Sequence, residues 1–211
     1  LSPLSLHDAL PICVHGANRL GGNGVANSTV YGGIAGDEMA RHVGAAGALK
    51  DVERAAVDRA LARAEHPFAH RAADLGALRE RLWRLMWDDV GILRDACGLE
   101  RGIAGLDALD AELHSSGLAD GDRAFNLTWH DWMNLESQIA ISKVIARAAL
   151  AREDSRGAHY REDFPETGDF STTCYTRVVG EELEMVPVSF SIVRPGESLI
   201  EGEAGAPPAT A

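Results

Sequence analysis

The sequence predicts a mainly α-helical fold that ends in a short β-hairpin, and three observations support this. Apolar residues recur at spacings of three and four between about residues 75 and 153, which is the period of a helix. A glycine-rich segment at 13–47 precedes them. After Pro165, two runs of β-branched and aromatic residues flank Gly180, as in a hairpin. We therefore expect a helical bundle between a glycine-rich segment and a hairpin.

Composition and charge exclude several classes of protein. The 211 residues are 45% hydrophobic, enough for a buried core, and the net charge of −12 disfavours nucleic acid or anionic lipid as a partner. Cys13, Cys97 and Cys174 are few and far apart, which predicts a reducing compartment and no disulfide framework. Because charges interrupt the longest apolar run at 139–150, we expect no transmembrane segment and a cytoplasmic location.

The N-terminal fifty residues differ chemically from the rest. Residues 1–12, LSPLSLHDALPI, lack an initiating Met and the features of a signal peptide, so we expect a foreign or mispredicted leader. From Val25 onward the apolar spacing is helical, yet Gly32, Gly33 and Gly36 lie inside that helix. Since each interior glycine costs about 1 kcal/mol relative to alanine, we expect close approach to a sheet, a helix or a ligand.

Four further helices follow in order. Residues 51–64 form an exposed alanine-rich helix that stops near Pro67. A longer helix is predicted for 75–97, with Gly98 as its stop signal, and a shorter amphipathic one for 103–113. The last, 129–153, is apolar or small on most of its circumference and should be central in the bundle.

The C-terminal region changes character. Residues 173–193 are predicted as a β-hairpin with its turn at 180–182. The tail at 201–211 is small, acidic and proline-containing, which predicts disorder.

The glycine-rich stretch GANRLGGNG fits neither of the common phosphate-binding templates. A P-loop would need Lys-Ser/Thr after its second glycine, and a Rossmann fingerprint would need a third glycine where Asn27 stands. What remains is a turn into a helix whose free N–H groups near Gly24 and Val25 would favour an electronegative ligand atom. Arg19, just ahead, would bind a carboxylate there or pair with an acidic neighbour on the surface.

Three other groups of residues have alternative interpretations. His66, His70 and Asp74 share a helical face, but Pro67 intervenes and no fourth ligand is evident, so we predict no metal. The tryptophan pairs Trp83/Trp87 and Trp129/Trp132 are predicted to lie in the bundle core. The charged loop at 155–163 is expected to form an ion-pair lattice that docks the helical domain onto its neighbour; reaching an active site is the alternative.

Three segments in sequence order resemble the C-terminal part of the succinate dehydrogenase/fumarate reductase flavoprotein family, which includes L-aspartate oxidase. They are VHGANRLGGN, RLMWDDVGILRD and ALAREDSRGAHYREDFPE, and the resemblance covers about residues 13–170. It implies an FAD-dependent oxidoreductase that moves a hydride between flavin and a dicarboxylate. It also implies that 13–50 is a remnant of an FAD-binding α/β domain, 51–170 a helical domain and 171–200 a hairpin extension.

Carried over to this sequence, the resemblance makes Arg19 the arginine that holds a substrate carboxylate. Gly24 and Val25 stand where the family has a Ser-Leu pair whose backbone contacts the flavin. The family's dinucleotide fingerprint and capping domain have no counterpart here, so we expect no complete catalytic site, no FAD retention and no activity from this chain alone.

The resemblance further implies partners and leaves alternatives open. The partners would be a dicarboxylate substrate and an iron–sulfur electron-transfer subunit, which would hold the protein at the inner membrane peripherally. The alternatives are an L-aspartate oxidase-like dicarboxylate oxidase and a non-catalytic helical module that docks on an electron-transfer partner.

Overall fold

The computed structural model describes residues 21–47, 51–179, 182–190, 194 and 197. The leader at 1–12, Arg19, the hairpin turn at 180–181 and the tail at 201–211 lie outside the described residues. The described helices, in chain order, are α1 Asn23–Ala46, α2 Arg54–Glu65, α3 Leu75–Asp88, α4 Ala96–His114 and α5 Leu127–Ala151. The described strands are β1 Leu93–Arg94, β2 Tyr160–Arg161, β3 Cys174–Val179 and β4 Glu182–Pro187.

The core lies between α3, α4 and α5. Its buried side chains come mostly from leucines at helical spacing, as the amphipathic pattern predicts: Leu75, Leu78 and Leu82 on α3, Leu99, Leu106, Leu109 and Leu113 on α4, and Trp132, Leu135 and Ile139 on α5. Helix α4 closely approaches the segment that follows α3 at Gly102, where an added Cβ would lie 2.8 Å from Val90 Cγ2. The mainly α-helical prediction is confirmed.

Side-chain caps set where the core helices begin. Asp74, Asp95 and Asn126 each accept a hydrogen bond from the backbone N–H three residues on, at 3.0, 2.6 and 2.9 Å. These bonds satisfy N–H groups that have no partner inside the helix.

The prediction of one helix over 75–97 is therefore wrong. Helix α3 ends at Asp88, and the chain extends through β1 before Asp95 starts a new helix. Gly98, interpreted as a stop signal, lies in the first turn of α4. Because α4 starts at Ala96, it is also longer than the helix predicted for 103–113.

The other predicted elements are confirmed. Helix α2 has no buried residue, α5 matches the predicted 129–153 helix within two residues at each end, and β3 and β4 pair antiparallel with Cys174 opposite Pro187. The short parallel pair β1–β2 joins Leu93 to Tyr160, which the sequence did not predict. Within the described ranges, no helix is long and apolar enough to cross a membrane.

The tryptophan prediction is half right. Trp132 is 1% exposed, and the half-buried Trp129 donates its Nε1–H to Ala64 O at 2.7 Å. Trp83 and Trp87, predicted as core, are 59% and 74% exposed. They lie on α3 away from the face that carries Leu78 and Leu82.

Candidate functional site

The start of α1 has the geometry of a backbone donor site. Gly22 precedes the helix in the left-handed region (φ 82°, ψ −29°), and it has no side chain with which to cap the first N–H groups. The first helical bond that these residues make runs from Ala26 N to Gly22 O, at 3.5 Å. The N–H groups of Gly24 and Val25 therefore stand at the positive end of the helix dipole.

The neighbouring hydroxyls do not occupy these N–H groups. Ser28 Oγ donates to Gly24 O at 2.9 Å and Thr29 Oγ1 donates to Val25 O at 3.0 Å, so both hydroxyls serve carbonyls. Gly24 is half-buried and the Val25 side chain is 78% exposed. This end of the helix can bind an electronegative atom through its backbone N–H donors.

The remainder of α1 stands clear of the bundle. Its large apolar side chains are exposed along the helix, and an added Cβ at the interior glycines would meet no described atom within 4 Å. These positions are Val30, Ile34, Met39 and Val43 for the apolar residues, and Gly32, Gly33 and Gly36 for the glycines. Close approach of α1 to a sheet or ligand stays a prediction.

A second constellation is centred on Arg161, which is 1% exposed. Its guanidinium donates to both carboxylate oxygens of Asp163 at 2.7 Å and to the carbonyls of Ala149, Leu150 and Arg152 at the end of α5. The hydrogen bond from Arg161 lowers the pKa of Asp163 to about 2. Arg161 thus satisfies the last carbonyls of α5 and fixes the following loop.

Arg94 and His159 join the same region, and sequence reasoning missed Arg94. Its Nε–H donates to Gly91 O at 2.7 Å, and Nη1 lies 2.8 Å from His159 Nδ1. Since a guanidinium only donates, Nδ1 accepts and the ring proton is on Nε2. Burial, and then the charge of Arg94, lower the pKa of His159, so the imidazole is neutral near pH 7.

Arg156 in the charged loop at 155–163 and Arg152 just before it connect the bundle to the segment that enters β3, and docking of the loop on a neighbouring domain stays a prediction. Arg156 pairs with Asp154 and donates from Nη1 to Thr173 Oγ1 at 2.6 Å, while Arg152 donates to Cys174 O. Nothing in the spacing of the sequence showed that Arg94 would complete this lattice, because β1 is only two residues long.

The histidines considered as metal ligands have other roles. His66 Nε2 is 2.8 Å from His114 O, and its ring packs 4.5 Å from that of His70. Asp74 caps α3. Among the residues that the structure describes, no group of His, Cys, Asp and Glu side chains forms a metal site.

Comparison with known proteins shows which family this chain resembles. The family model described as "Fumarate reductase flavoprotein C-term" matches residues 79–199, more than half of the chain. An uncharacterized FAD-dependent oxidoreductase of Methanocaldococcus jannaschii is 33% identical over 159 residues, which cover 73% of this chain and 27% of that protein. One subunit of the fumarate reductase (CoM/CoB) of Methanothermobacter marburgensis is 34% identical, covering 73% of this chain and 28% of that protein.

A solved structure has the same fold. A chain of the Mycobacterium smegmatis Sdh1 complex in the apo form is 32% identical, with a TM-score of 0.73, covering 86% of this chain and 32% of that one. This chain therefore spans about a third or less of the length of these relatives. On the family model and these likenesses together, the chain belongs to the succinate dehydrogenase/fumarate reductase flavoprotein family and corresponds to its C-terminal portion.

Proposed function

We propose that this chain is the C-terminal part of an FAD-dependent oxidoreductase that acts on a dicarboxylate. The observation that carries the proposal is the start of α1, where the helix begins behind a left-handed Gly22 that makes no side-chain cap bond. The relatives support it by their names, which include an FAD-dependent oxidoreductase and a fumarate reductase. The division into a remnant of the FAD-binding domain at 13–50, a helical domain at 51–170 and a hairpin extension at 171–200 belongs to this proposal.

The residues present fit a flavin by the chemistry of their donors. An isoalloxazine ring carries carbonyl oxygens that accept hydrogen bonds, and Gly24 and Val25 offer backbone N–H groups that the hydroxyls of Ser28 and Thr29 do not occupy. A flavin bound there supplies hydride transfer to or from the Cα–Cβ bond of the dicarboxylate. The positive end of the α1 dipole favours negative charge on the nearby ring.

Arg19 is proposed to orient the substrate. It precedes Gly22 by three residues in a stretch with no other charged side chain between Asp8 and Asp37. A planar guanidinium presents two parallel donors to a carboxylate, so it fixes both the position and the orientation of a dicarboxylate.

The first test uses Arg19→Lys in the full-length flavoprotein. Lysine keeps the charge but loses the two parallel donors, and a misplacement of about 1 Å can cost on the order of 100-fold in rate. We expect kcat/KM for fumarate reduction to fall by about that factor. Flavin absorbance should stay unchanged, because the contacts assigned to Gly24 and Val25 are backbone ones.

Arg41→Lys is the matched control, since Arg41 lies on α1 and pairs with Glu38 in solvent. It should leave kcat/KM unchanged. Normal kinetics for Arg19→Lys would make Arg19 a surface residue. Oxidation of L-aspartate in preference to succinate would move the enzyme to the aspartate oxidase branch, and a full-length protein without flavin would favour the non-catalytic docking module.

A further inference from the structure

The turn that leads into β2 carries a half-buried histidine that the proposed function does not use. Arg156 and His159 face each other across this turn: the Arg156 N–H donates to His159 O at 2.8 Å, and the His159 N–H donates to Arg156 O at 3.0 Å. Gly157 lies between them with φ 57°, in the region that favours glycine. Since opposite residues of an antiparallel pair share a face, the guanidinium and the imidazole leave the same side of the turn.

One side-chain contact fastens this turn to β1. Arg94 Nη1 donates to His159 Nδ1 at 2.8 Å, while the Arg94 Nε–H donates to the carbonyls of Val90 and Gly91 and so holds the guanidinium in place. A guanidinium has no acceptor, so the contact exists only while Nδ1 keeps its lone pair. The contact therefore depends on a single proton.

Most charged groups that face His159 are positive. Arg94 approaches from β1, Arg152 and Asp154 from the end of α5, and Arg156 from the turn itself. Arg152 and Arg156 share the carboxylate of Asp154. The side chains of these three residues are 15–19% exposed, so water screens their charges weakly.

The other acidic groups of this region surround Arg161 instead, and these are Asp95, Glu153 and Asp163. The segment that enters β3 contributes only uncharged groups to the two arginines, the hydroxyl of Thr173 and the carbonyl of Cys174. A proton on the imidazole would thus place a further positive charge among three guanidinium groups and one shared carboxylate.

Protonation of His159 is unfavourable while the turn is closed. Burial, and then the charge of Arg94, lower the pKa of His159 from its ordinary 6.5. When the turn is open, the imidazole lies in water and takes up a proton near the ordinary value. As pH falls below 6.5, the closed form therefore loses stability relative to the open form until its own lowered pKa is reached. Asp163, whose pKa is about 2, does not respond in this range.

We propose that the contact between Arg94 and His159 is an acid-sensitive latch that closes the turn at 156–159 onto β1. Protonation of Nδ1 breaks the hydrogen bond from Arg94, and the repulsion among the positive groups then opens the turn. The core helices stay folded, because none of their buried leucines takes part in the latch.

Opening of the latch also loosens the contact between the bundle and the segment that enters β3. Arg156 leaves with the turn, so its bond to Thr173 Oγ1 at 2.6 Å and its stacking on the ring of Phe170 are lost. Arg161 stays in place, because it is bound to the carbonyls at the end of α5 independently of His159.

The experiment follows amide hydrogen exchange by NMR in the 211-residue chain between about pH 7.5 and about pH 5, corrected for the intrinsic effect of pH on exchange. The amides of Arg156 and His159 should lose protection as pH falls below about 6.5. The amide of Arg161, which donates to Ser155 Oγ at 2.8 Å, should keep its protection and is the internal control. The ring nitrogen shifts of His159 should show a proton on Nε2 alone at the higher pH.

Three variants test the role of the proton. In His159→Asn the amide oxygen replaces Nδ1 as acceptor and does not titrate, so the turn should stay protected down to about pH 5. His130→Asn is the matched control, since His130 is exposed on α5, and this variant should respond to acid like the native chain. Arg94→Met removes a neighbouring positive charge, so the pKa of His159 should move towards its ordinary value.

Two results would overturn the latch. One is a native turn whose protection does not change down to about pH 5. The other is an equal loss of protection in the native chain and in His159→Asn, which would assign the acid response to a carboxylate such as Asp154. If His159→Asn does not fold, the native ring decides: a proton on Nδ1 at neutral pH, or titration at the ordinary histidine value, would contradict the bond from Arg94.

Discussion

Arg161 links the end of α5 to the loop that follows it, and its removal should be the most damaging single change outside the leucine core. Arg161→Met keeps the side-chain length but leaves the carbonyls of Ala149 and Leu150 without this donor, and leaves Asp163 with the backbone N–H of Ala96. A buried acceptor that is left without its hydrogen-bond donor costs about 1–3 kcal/mol. We expect a loss of that order in the free energy of unfolding, measured with urea.

Arg177→Met is the control for this substitution, because Arg177 pairs with Glu184 on the hairpin at a half-exposed site. Exposed ion pairs contribute about 0–1 kcal/mol. Equal losses for the two variants would contradict the role assigned to Arg161.

Asp163 makes the same lattice sensitive to acid. Its pKa is lowered from 3.8 to about 2 in the folded protein, chiefly by the hydrogen bond from Arg161. A group with a lowered folded-state pKa stabilises the fold above its unfolded-state pKa, and this contribution is lost as pH falls through the folded-state value. The Tm of the native chain should therefore fall between about pH 4 and pH 2 more steeply than that of Asp163→Asn. Parallel pH profiles for the two proteins would show that Asp163 contributes nothing.

At the scale of elements, the turn between α3 and β1 depends on Gly91. A Cβ at this position would clash with the carbonyl oxygen of Trp87, which is backbone and cannot move aside. Gly91→Ala should lower the free energy of unfolding by about 1–3 kcal/mol. Gly121→Ala is the matched control, since a Cβ there meets nothing within 4 Å. An unchanged free energy of unfolding in Gly91→Ala would mean that the turn relaxes to accommodate the added Cβ.

The glycines of α1 should respond in opposite ways in the short and the long chain. In the 211-residue chain Gly36→Ala meets open space, and alanine favours a helix by about 1 kcal/mol, so helical circular dichroism should rise. In the full-length flavoprotein, where close packing is proposed, the same variant should lose flavin. Full flavin occupancy in that variant would contradict the expectation that the interior glycines allow close approach of α1 to a sheet, a helix or a ligand.

The sequence predicted the kinds of element better than their limits. Apolar periodicity continues through Val90 and Leu93 although the helix stops at Asp88, because periodicity reports which residues face the core and not whether the backbone is continuous. The signal that competed with this periodicity was Asp95, which caps the start of a new helix. Similarly, the tryptophans at 83 and 87 share a face, but the sequence alone did not show that nothing within the described chain would cover it.

The residues of the candidate site also differ in whether the sequence could predict them. A helix start at Gly24 and Val25 was predictable from a Gly/Asn turn followed by helical spacing. Arg94 was not, because its role depends on a parallel two-residue pairing with a segment more than sixty residues away. Local patterns predict local geometry, whereas long-range pairing needs the fold.

At the scale of the whole molecule, the bundle should fold without the N-terminal segment. The buried hydrophobic residues of the described core lie between Leu75 and Ala149, and α1 contributes none of them. A chain that starts at residue 51 should melt cooperatively at an unchanged Tm by circular dichroism. Removing residues 1–74 should lower the Tm, because it also deletes α2 with the Arg63–Glu136 pair and the bond from Trp129 to Ala64. A non-cooperative melt of the 51–211 chain would contradict an independent bundle.

Cofactor retention should depend on the whole flavoprotein and not on this part of it. The α1 start assigns two backbone N–H groups, those of Gly24 and Val25, to the flavin. Tight dinucleotide binding in a Rossmann segment instead uses a glycine-rich turn, a helix N-terminus and a ribose-binding acid together. Since exposure of α1 leaves its donors in competition with water, each contributes about 0.5–1.5 kcal/mol at most. Two such bonds supply about 3 kcal/mol at most, which is less than the roughly 4 kcal/mol that millimolar affinity needs. The 211-residue chain should therefore be colourless after gel filtration with added FAD and should not reduce fumarate with a reduced dye. A flavin spectrum that co-elutes with the chain would show that the described residues hold more of the cofactor than α1 accounts for.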